Sequence, residues 1–324
     1  MSMLAGDVDG LRSGGQASVD ALHKQLNGAP DELLDGVCAQ KDCHASRLFW
    51  YTDLEEAKKA AQAAGKPIVS LHLLGRLDEE VSCANSRFFR VLLYSDPEIS
   101  KILRERYVLH WHSVRPVPRV TIDMGDGRKI RQTITGNSIH YLLDSNGQVL
   151  DGLPGLQSPK AFRAQLEEWL TLNAENVQAY HHERRGASPV QYVLRPRAED
   201  AASIAVSKAI VERPLLQMLT LGTRLPRIEA PEADDVVFSA ESLALMRTKQ
   251  PVSEQLLDGL RRTVALDTRV NAELHGLIHT WLANEEVTDL ESLNERVYAE
   301  LFLTPNDDPW LGLKPASVFT ALSN

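Results

Sequence analysis

Cysteine is scarce in this chain: three in 324 residues, at positions 38, 43 and 83. That excludes a disulfide scaffold, which needs a dense and even set. A basic surplus is also missing. Lys and Arg number 35 against 44 Asp and Glu, for a net charge of -9, the wrong balance for a general nucleic-acid binder. No apolar run approaches the ~20 residues of a membrane-spanning helix, so no membrane partner is expected. The opening MSMLAGDVDGLRSGG has no basic stretch followed by an apolar core, so no secretory signal is read. A cytoplasmic location is expected, or a periplasmic one if a leader was removed.

What is there is ordinary in bulk. Hydrophobic residues make up 43% and charged residues 24%, the balance of a globular protein. The length suits one large domain or two ordinary ones.

The chain is organised around residues 66–90, KPIVSLHLLGRLDEEVSCANSRFFR. Ile68 to Leu73 reads as a short buried strand launched by Lys66-Pro67. A polar loop with Gly75, Asp78, Glu79 and Glu80 follows. A helix opens at Ser82-Cys83 and runs through Phe88, Phe89, Val91, Leu92 and Leu93. A cysteine in a first turn lies by orphan N–H groups and the positive dipole end, and both favour thiolate. Ser86, three residues on, can hydrogen-bond that sulfur. The nearby carboxylates act the other way, and a small buried hydrophobe is the plain alternative for Cys83.

Earlier in the chain, residues 1–30 read as loose, with a short helix around Val19 to Leu26. Cys38 and Cys43 are spaced C-x4-C and followed by His44. They read as a local disulfide, a pair of free thiols, or half of a metal site whose other two ligands come from elsewhere. Covalent haem uses a tighter C-x-x-C-H. Thr52 and Glu55 form a capping box for a helix that Gly65 stops.

Later, Ser95-Asp96-Pro97 starts another helix. Tyr107 to Ser113 alternates as a strand, with His110 and His112 on one side of it. Val120 to Asp123 and Lys129 to Ile134 flank Gly125-Asp126-Gly127 as a hairpin. Arg115, Arg119, Arg128 and Arg131 make that insertion locally basic, either as a solvated face or to hold an anionic group. Ile139 to Leu143 and Gln148 to Leu150 form a second hairpin, and Ser158-Pro159 opens a helix to about Asn176.

Residues 178–200 read as a linker. Beyond it the helix candidates are 198–212, 215–221, 240–247, 253–284 with a break near Asp267, and 289–302, and Trp310 pins the tail. His275 and His279 share a helical face at metal-binding spacing, with Glu273 and Asp267 as possible additions. The plain reading of that pair is two ordinary helix histidines.

Residues 48–172 resemble the thioredoxin-like superfamily. The likeness rests on EEAKKAAQAAGKPIVSLHL before the cysteine, SDPEISKILRERYVLHW after it and YLLDSNGQVLDGLPG near the end. It implies an α/β fold, a thioredoxin-like α/β/α domain at 45–178. Composition and pattern add an N-terminal extension at 1–44, a linker at 179–200 and a mainly α-helical C-terminal region at 201–324. The family's C-x-x-C is here Cys83-Ala84-Asn85-Ser86. Its cis-proline position falls on Ser138.

The resemblance implies a monothiol redox protein with Cys83 as nucleophile and Ser86 as its support. Asn137, Ser138, His140, His112 and Arg115 would line the substrate side, and Cys38 or Cys43 would serve as external resolving thiols. The partner would be a protein or small-molecule thiol or disulfide. Two other readings stand beside it. One is a non-catalytic scaffold holding a protein partner through the C-terminal helices. The other is a metal site using Cys83 with His112 or His140. No other cofactor is expected.

Overall fold

The computed structural model describes residues 5–133, 136–185, 235–284, 289–309 and 311. The expected helices 198–212 and 215–221, and Trp310, lie outside them. The chain is a mixed α/β protein built on a five-stranded sheet.

The strand Ile68–Leu74 (β2) is buried at all seven positions. A run with no polar face must be covered on both sides, and β2 takes the centre of the sheet. It pairs in parallel with Val108–Arg115 (β3) and antiparallel with Ser138–Leu143 (β6). Trp50–Tyr51 (β1) adds parallel to β3, and Val149–Pro154 (β7) adds antiparallel to β6. The order is β1-β3-β2-β6-β7. The insertion forms its own two-stranded hairpin, Arg119–Asp123 (β4) with Lys129–Thr133 (β5).

Alternation along the strands gives each face its own core. Val69, Leu71, Leu73, Leu109, Trp111 and Leu142 pack on three helical elements. These are Ala84–Phe88 (α6) with its π-helical continuation Phe89–Leu93, Pro97–Arg106 (α7) and Pro159–Trp169 (α8). On the other face Ile68, Val108, Ile139, Tyr141 and Leu143 meet Ala57 and Ala61 of Leu54–Ala64 (α5). That face is completed by the C-terminal part: Leu274 and Ile278 of Glu254–Ala283 (α11), Leu293 of Leu290–Arg296 (α12), and Val297 and Tyr298 of the π turn after it. The C-terminal helices are therefore one of the layers on the sheet.

Several elements differ from expectation for local reasons. The cap of α5 is Asp53, whose carboxylate accepts from the Glu56 N–H, and Thr52 lies outside it. Gly65 stops that helix in the left-handed region at φ +61°. Helix α8 ends at Trp169 because Asn173 and Asn176 side chains bond nearby backbone N–H groups instead. Val177–Arg184 (α9) then forms where a linker was expected, with Val177, Tyr180 and His181 buried. Helix α11 runs 30 residues without the expected break at Asp267. The loose N-terminal part holds Ala5–Arg12 (α1) and Gln16–Gln25 (α2). Val19 packs there on Leu34 and Val37 of Glu32–Cys38 (α3) and on Cys43 of Cys43–Ser46 (α4).

One ion network ties distant parts together. Arg90 is 1% exposed and its Nη1 lies 3.1 Å from Asp42 Oδ2. Lys249, at the end of Ala240–Lys249 (α10), reaches Asp42 Oδ1 at 2.6 Å. Removing one partner of a buried pair strands the other charge. Asp42→Ala should cost about 3–5 kcal/mol of stability, read as a drop in the urea midpoint. A midpoint unchanged from the parent would contradict this account.

Candidate functional site

Strand β2 and the loop after it deliver Cys83 to the start of α6. Cys83 is the N-cap, and its Sγ accepts from the backbone N–H of Ser86 at 3.4 Å. The Ser86 hydroxyl turns away and donates to the Arg76 carbonyl at 3.5 Å. Support for the sulfur thus comes from the Ser86 backbone rather than its side chain. Cys83 is 0% exposed. Gly136 lies flat against it: a Cβ there would sit 2.7 Å from Cys83 Cβ, too close for real side chains.

The expected substrate wall is filled by the chain itself. Asn137 Nδ2 donates to Thr304 Oγ1 at 2.8 Å, and Asn137 O accepts from Tyr298 Oη at 3.2 Å. Ser138 Oγ accepts from Asn85 Nδ2 at 2.7 Å. Arg115 Nη1 donates to the carbonyls of Asn306 and Asp308 at 3.1 and 2.7 Å. Asn137 and Arg115 thus hold the segment 298–308 in place.

The histidines do not join Cys83. His140 sits among the rings of Phe89, Tyr94 and Phe162, on the other core, and its Nε2 lies 2.6 Å from Tyr94 Oη. Burial pushes its pKa down to about 3. His110 pairs with the Ser70 hydroxyl at 2.7 Å. Burial first, then His112, pushes it down to about 4. His112 is exposed, its ring 5.2 Å from the buried His72 ring. Burial, followed by His112 and His110, holds His72 well below the ordinary histidine range.

Cys38 and Cys43 are joined to each other in a disulfide, with Cα atoms 6.3 Å apart. That bond corrects the reading of them as resolving thiols or as half of a metal site, because it uses both sulfurs and both are buried in the N-terminal cluster.

A second polar cluster lies inside the fold. His275 Nε2 lies 2.9 and 3.1 Å from the two carboxylate oxygens of Asp151. His279 Nδ1 lies 3.7 Å from Asp151 Oδ1. Asp151 Oδ2 also accepts from Trp169 Nε1 at 2.7 Å and Tyr180 Oη at 3.2 Å. His181 Nδ1 lies 2.9 Å from His279 Nδ1, and its Nε2 lies 2.9 Å from the Leu150 carbonyl. Burial raises the pKa of Asp151, but His275, His279 and His181 outweigh it and leave it well below the carboxylate range. Glu273 is exposed and takes no part. The sequence paired His275 with His279 but missed Asp151 and His181. A lone Asp in the apolar run VLDGLP was the available signal for the first. His181 had none, because it lay in an expected linker.

An open cleft of about 400 Å³ flanks α6. Its lining includes the apolar Phe88, Val91, Met246 and Val264, the cations Arg87, Arg131 and Lys249, and the acids Asp42 and Glu80. Arg87 Nε is buried without a hydrogen-bond partner among the described residues. The neighbouring β4–β5 hairpin exposes Ile122, Met124 and Ile130.

His72, His110 and His140 are neutral in the fold, while an unfolded histidine titrates near 6.5. The unfolded chain therefore binds more protons as pH falls from about 6.5 toward 4, and stability falls with it. Urea midpoints at pH 7, 6, 5 and 4 should decline steadily, and a flat profile would refute the neutral assignment. Gly136→Ala should destabilise by about 1–3 kcal/mol through overpacking, read in the same melts. An undiminished midpoint would mean the contact with Cys83 is loose.

No protein-family model matches the chain, and no curated protein matches it.

Proposed function

We propose that this chain is a non-catalytic, partner-binding protein on a thioredoxin-like frame. The frame is supported by the order of elements: helix, central strand, cysteine helix, helix, parallel strand, closing antiparallel hairpin and final helix, all on one sheet. The observation that carries the binding reading is the complete burial of Cys83 beneath the chain's own residues. A nucleophilic thiol needs access to its substrate as well as a low pKa, and two of the residues expected to receive that substrate, Asn137 and Arg115, bind segment 298–308 instead.

The open surface lies on another side of the same helix. Leu274 and Ile278 of α11 and Leu293 of α12 are spent on the sheet, while Met246 of α10 and Val264 of α11 help to line the cleft beside α6, so docking is assigned to that cleft and the β4–β5 hairpin. An apolar lining together with Arg87 and Arg131 suits a peptide segment carrying an apolar side chain next to a carboxylate. Arg binds carboxylates in a planar, two-pronged geometry. The Cys38–Cys43 disulfide fits an oxidising compartment.

A second reading, a latent monothiol, is favoured by one contact: Cys83 Sγ accepts an N–H at the start of its helix. It requires segment 298–308 to lift.

Alkylation of Cys83 against pH separates the two, since Cys83 is the one cysteine outside the Cys38–Cys43 disulfide. The folded chain should react slowly, with no inflection below about 8.5. Fast reaction with a lower inflection would replace binding by redox chemistry. On the binding side, a displayed library of acidic-apolar peptides should be enriched by the parent chain and not by Arg87→Glu or Arg131→Glu. Equal enrichment by those variants would remove the cleft from the proposal.

A further inference from the structure

The geometry points to a structural metal site, suited to zinc, built from Asp151, His275 and His279 with His181 as the fourth ligand. It stands apart from the binding proposal and uses none of the cleft residues.

The donor set comes first. Asp151 lies on β7, His181 on α9, and His275 and His279 one turn apart on α11. One ligand atom from each of Asp151, His275 and His279 falls within 4.8 Å of the others. His181 stands next to His279, with the two Nδ1 atoms 2.9 Å apart. Four N and O ligands around tetrahedral zinc sit about 3.3 Å from one another, from bond lengths near 2.0–2.2 Å. The spacings here, 2.9 Å for Asp151 to His275 and 3.7 Å for Asp151 to His279, bracket that figure. Asp151, His275 and His279 lie within reach of one ion, and His181, outside that group of three, would turn from His279 toward it.

The surroundings hold these ligands in place. His181 Nε2 donates to the Leu150 carbonyl. That bond puts the proton on Nε2 and leaves a lone pair on Nδ1, the atom facing His279. Trp169 and Tyr180 both donate to Asp151 Oδ2, which orients the carboxylate and turns Oδ1 toward His275 and His279. Such outer hydrogen bonds fix the orientation of metal ligands. Imidazoles with one carboxylate suit zinc, and four protein ligands leave no open position for water. Asp151 is 0% exposed and the three histidines are buried. The metal would clasp α9 and α11 to the closing hairpin. Binding releases any protons the imidazoles carry, so affinity should weaken in acid.

The test uses the full chain, made without a histidine tag. Elemental analysis after purification without chelator should give one zinc per chain. After chelator treatment, Co²⁺ should produce the visible absorption of a tetrahedral site at one equivalent, and Zn²⁺ should abolish it and raise Tm. His181→Gln and His279→Gln should weaken zinc binding by at least about 10-fold, while Cys83→Ser and His112→Ala should not. Absence of the cobalt spectrum together with an unmoved Tm in the parent chain would overturn the proposal. So would metal retained in His279→Gln and lost in Cys83→Ser. If the histidine variants do not fold, the cobalt titration of the parent decides by itself.

Discussion

The structure depends on the need to cover both faces of one strand. β2 is buried at all seven positions, Ser70 and His72 included, so its sheet must be roofed twice. Helices α6 to α8 roof one face. On the other, α5 offers small residues, Ala57 and Ala61, and does not reach across. Leu274, Ile278, Leu293 and Tyr298 of the C-terminal part complete the cover. At roughly 25 cal/mol per Å² of buried apolar surface, that closure is a main source of stability. It also explains why helices α11 and α12 are part of the sheet's cover rather than an appendage.

The same closure decides the fate of Cys83. The thiol lies on the face that the C-terminal part covers, with Gly136 pressed against it and Tyr298 above. Burial and a hydrogen-bond donor act on the sulfur in opposite senses. Access, however, is settled by the segment 298–308, which Asn137 and Arg115 hold by side-chain bonds to its hydroxyl and carbonyl groups. The polar groups of Asn137, Ser138, Ser86 and Arg115 are engaged by the chain, which leaves them little to offer a substrate. Among the described residues Asn85 Oδ1, beside Cys83, and Arg87 Nε, in the cleft beside α6, are buried without a hydrogen-bond partner.

Much of the frame was legible because it follows local rules. The apolar run of β2, the Asp-Pro start of α7 and the glycine-centred turn of the β4–β5 hairpin each specify an element within a few residues. The N-cap position of Cys83 was legible for the same reason. The long-range placements were not. Counting along the chain put His140 beside Cys83, but strand alternation sends residue 140 to the face opposite Ile139 and Tyr141, which share the Cys83 core. Arg115 and Asn137 read as substrate contacts because nothing local shows that residues 304–308 return to meet them. Asp151 met His275 only when β7 packed on α11, and His181 met His279 only when α9 did.

The proposed reading has a physical logic at the positions that depart from the thioredoxin-like pattern. Where a second thiol would stand, Ser86 donates to a carbonyl. Where the proline would stand, Ser138 accepts from Asn85. Both polar groups are internally satisfied, so each stabilises a closed arrangement that a disulfide-exchanging site must open. A thiol used in turnover needs a low-energy route to exposure, and local opening costs at least the contacts it breaks. Here that means separating Tyr298 and Thr304 from Asn137, and residues 306 and 308 from Arg115, all at once. Charged and neutral hydrogen bonds lost together, with apolar surface exposed, make such an opening rare at equilibrium. Chemistry at Cys83 would therefore have to be gated by something that binds and displaces the segment, which makes recognition by a partner the earlier event on either reading.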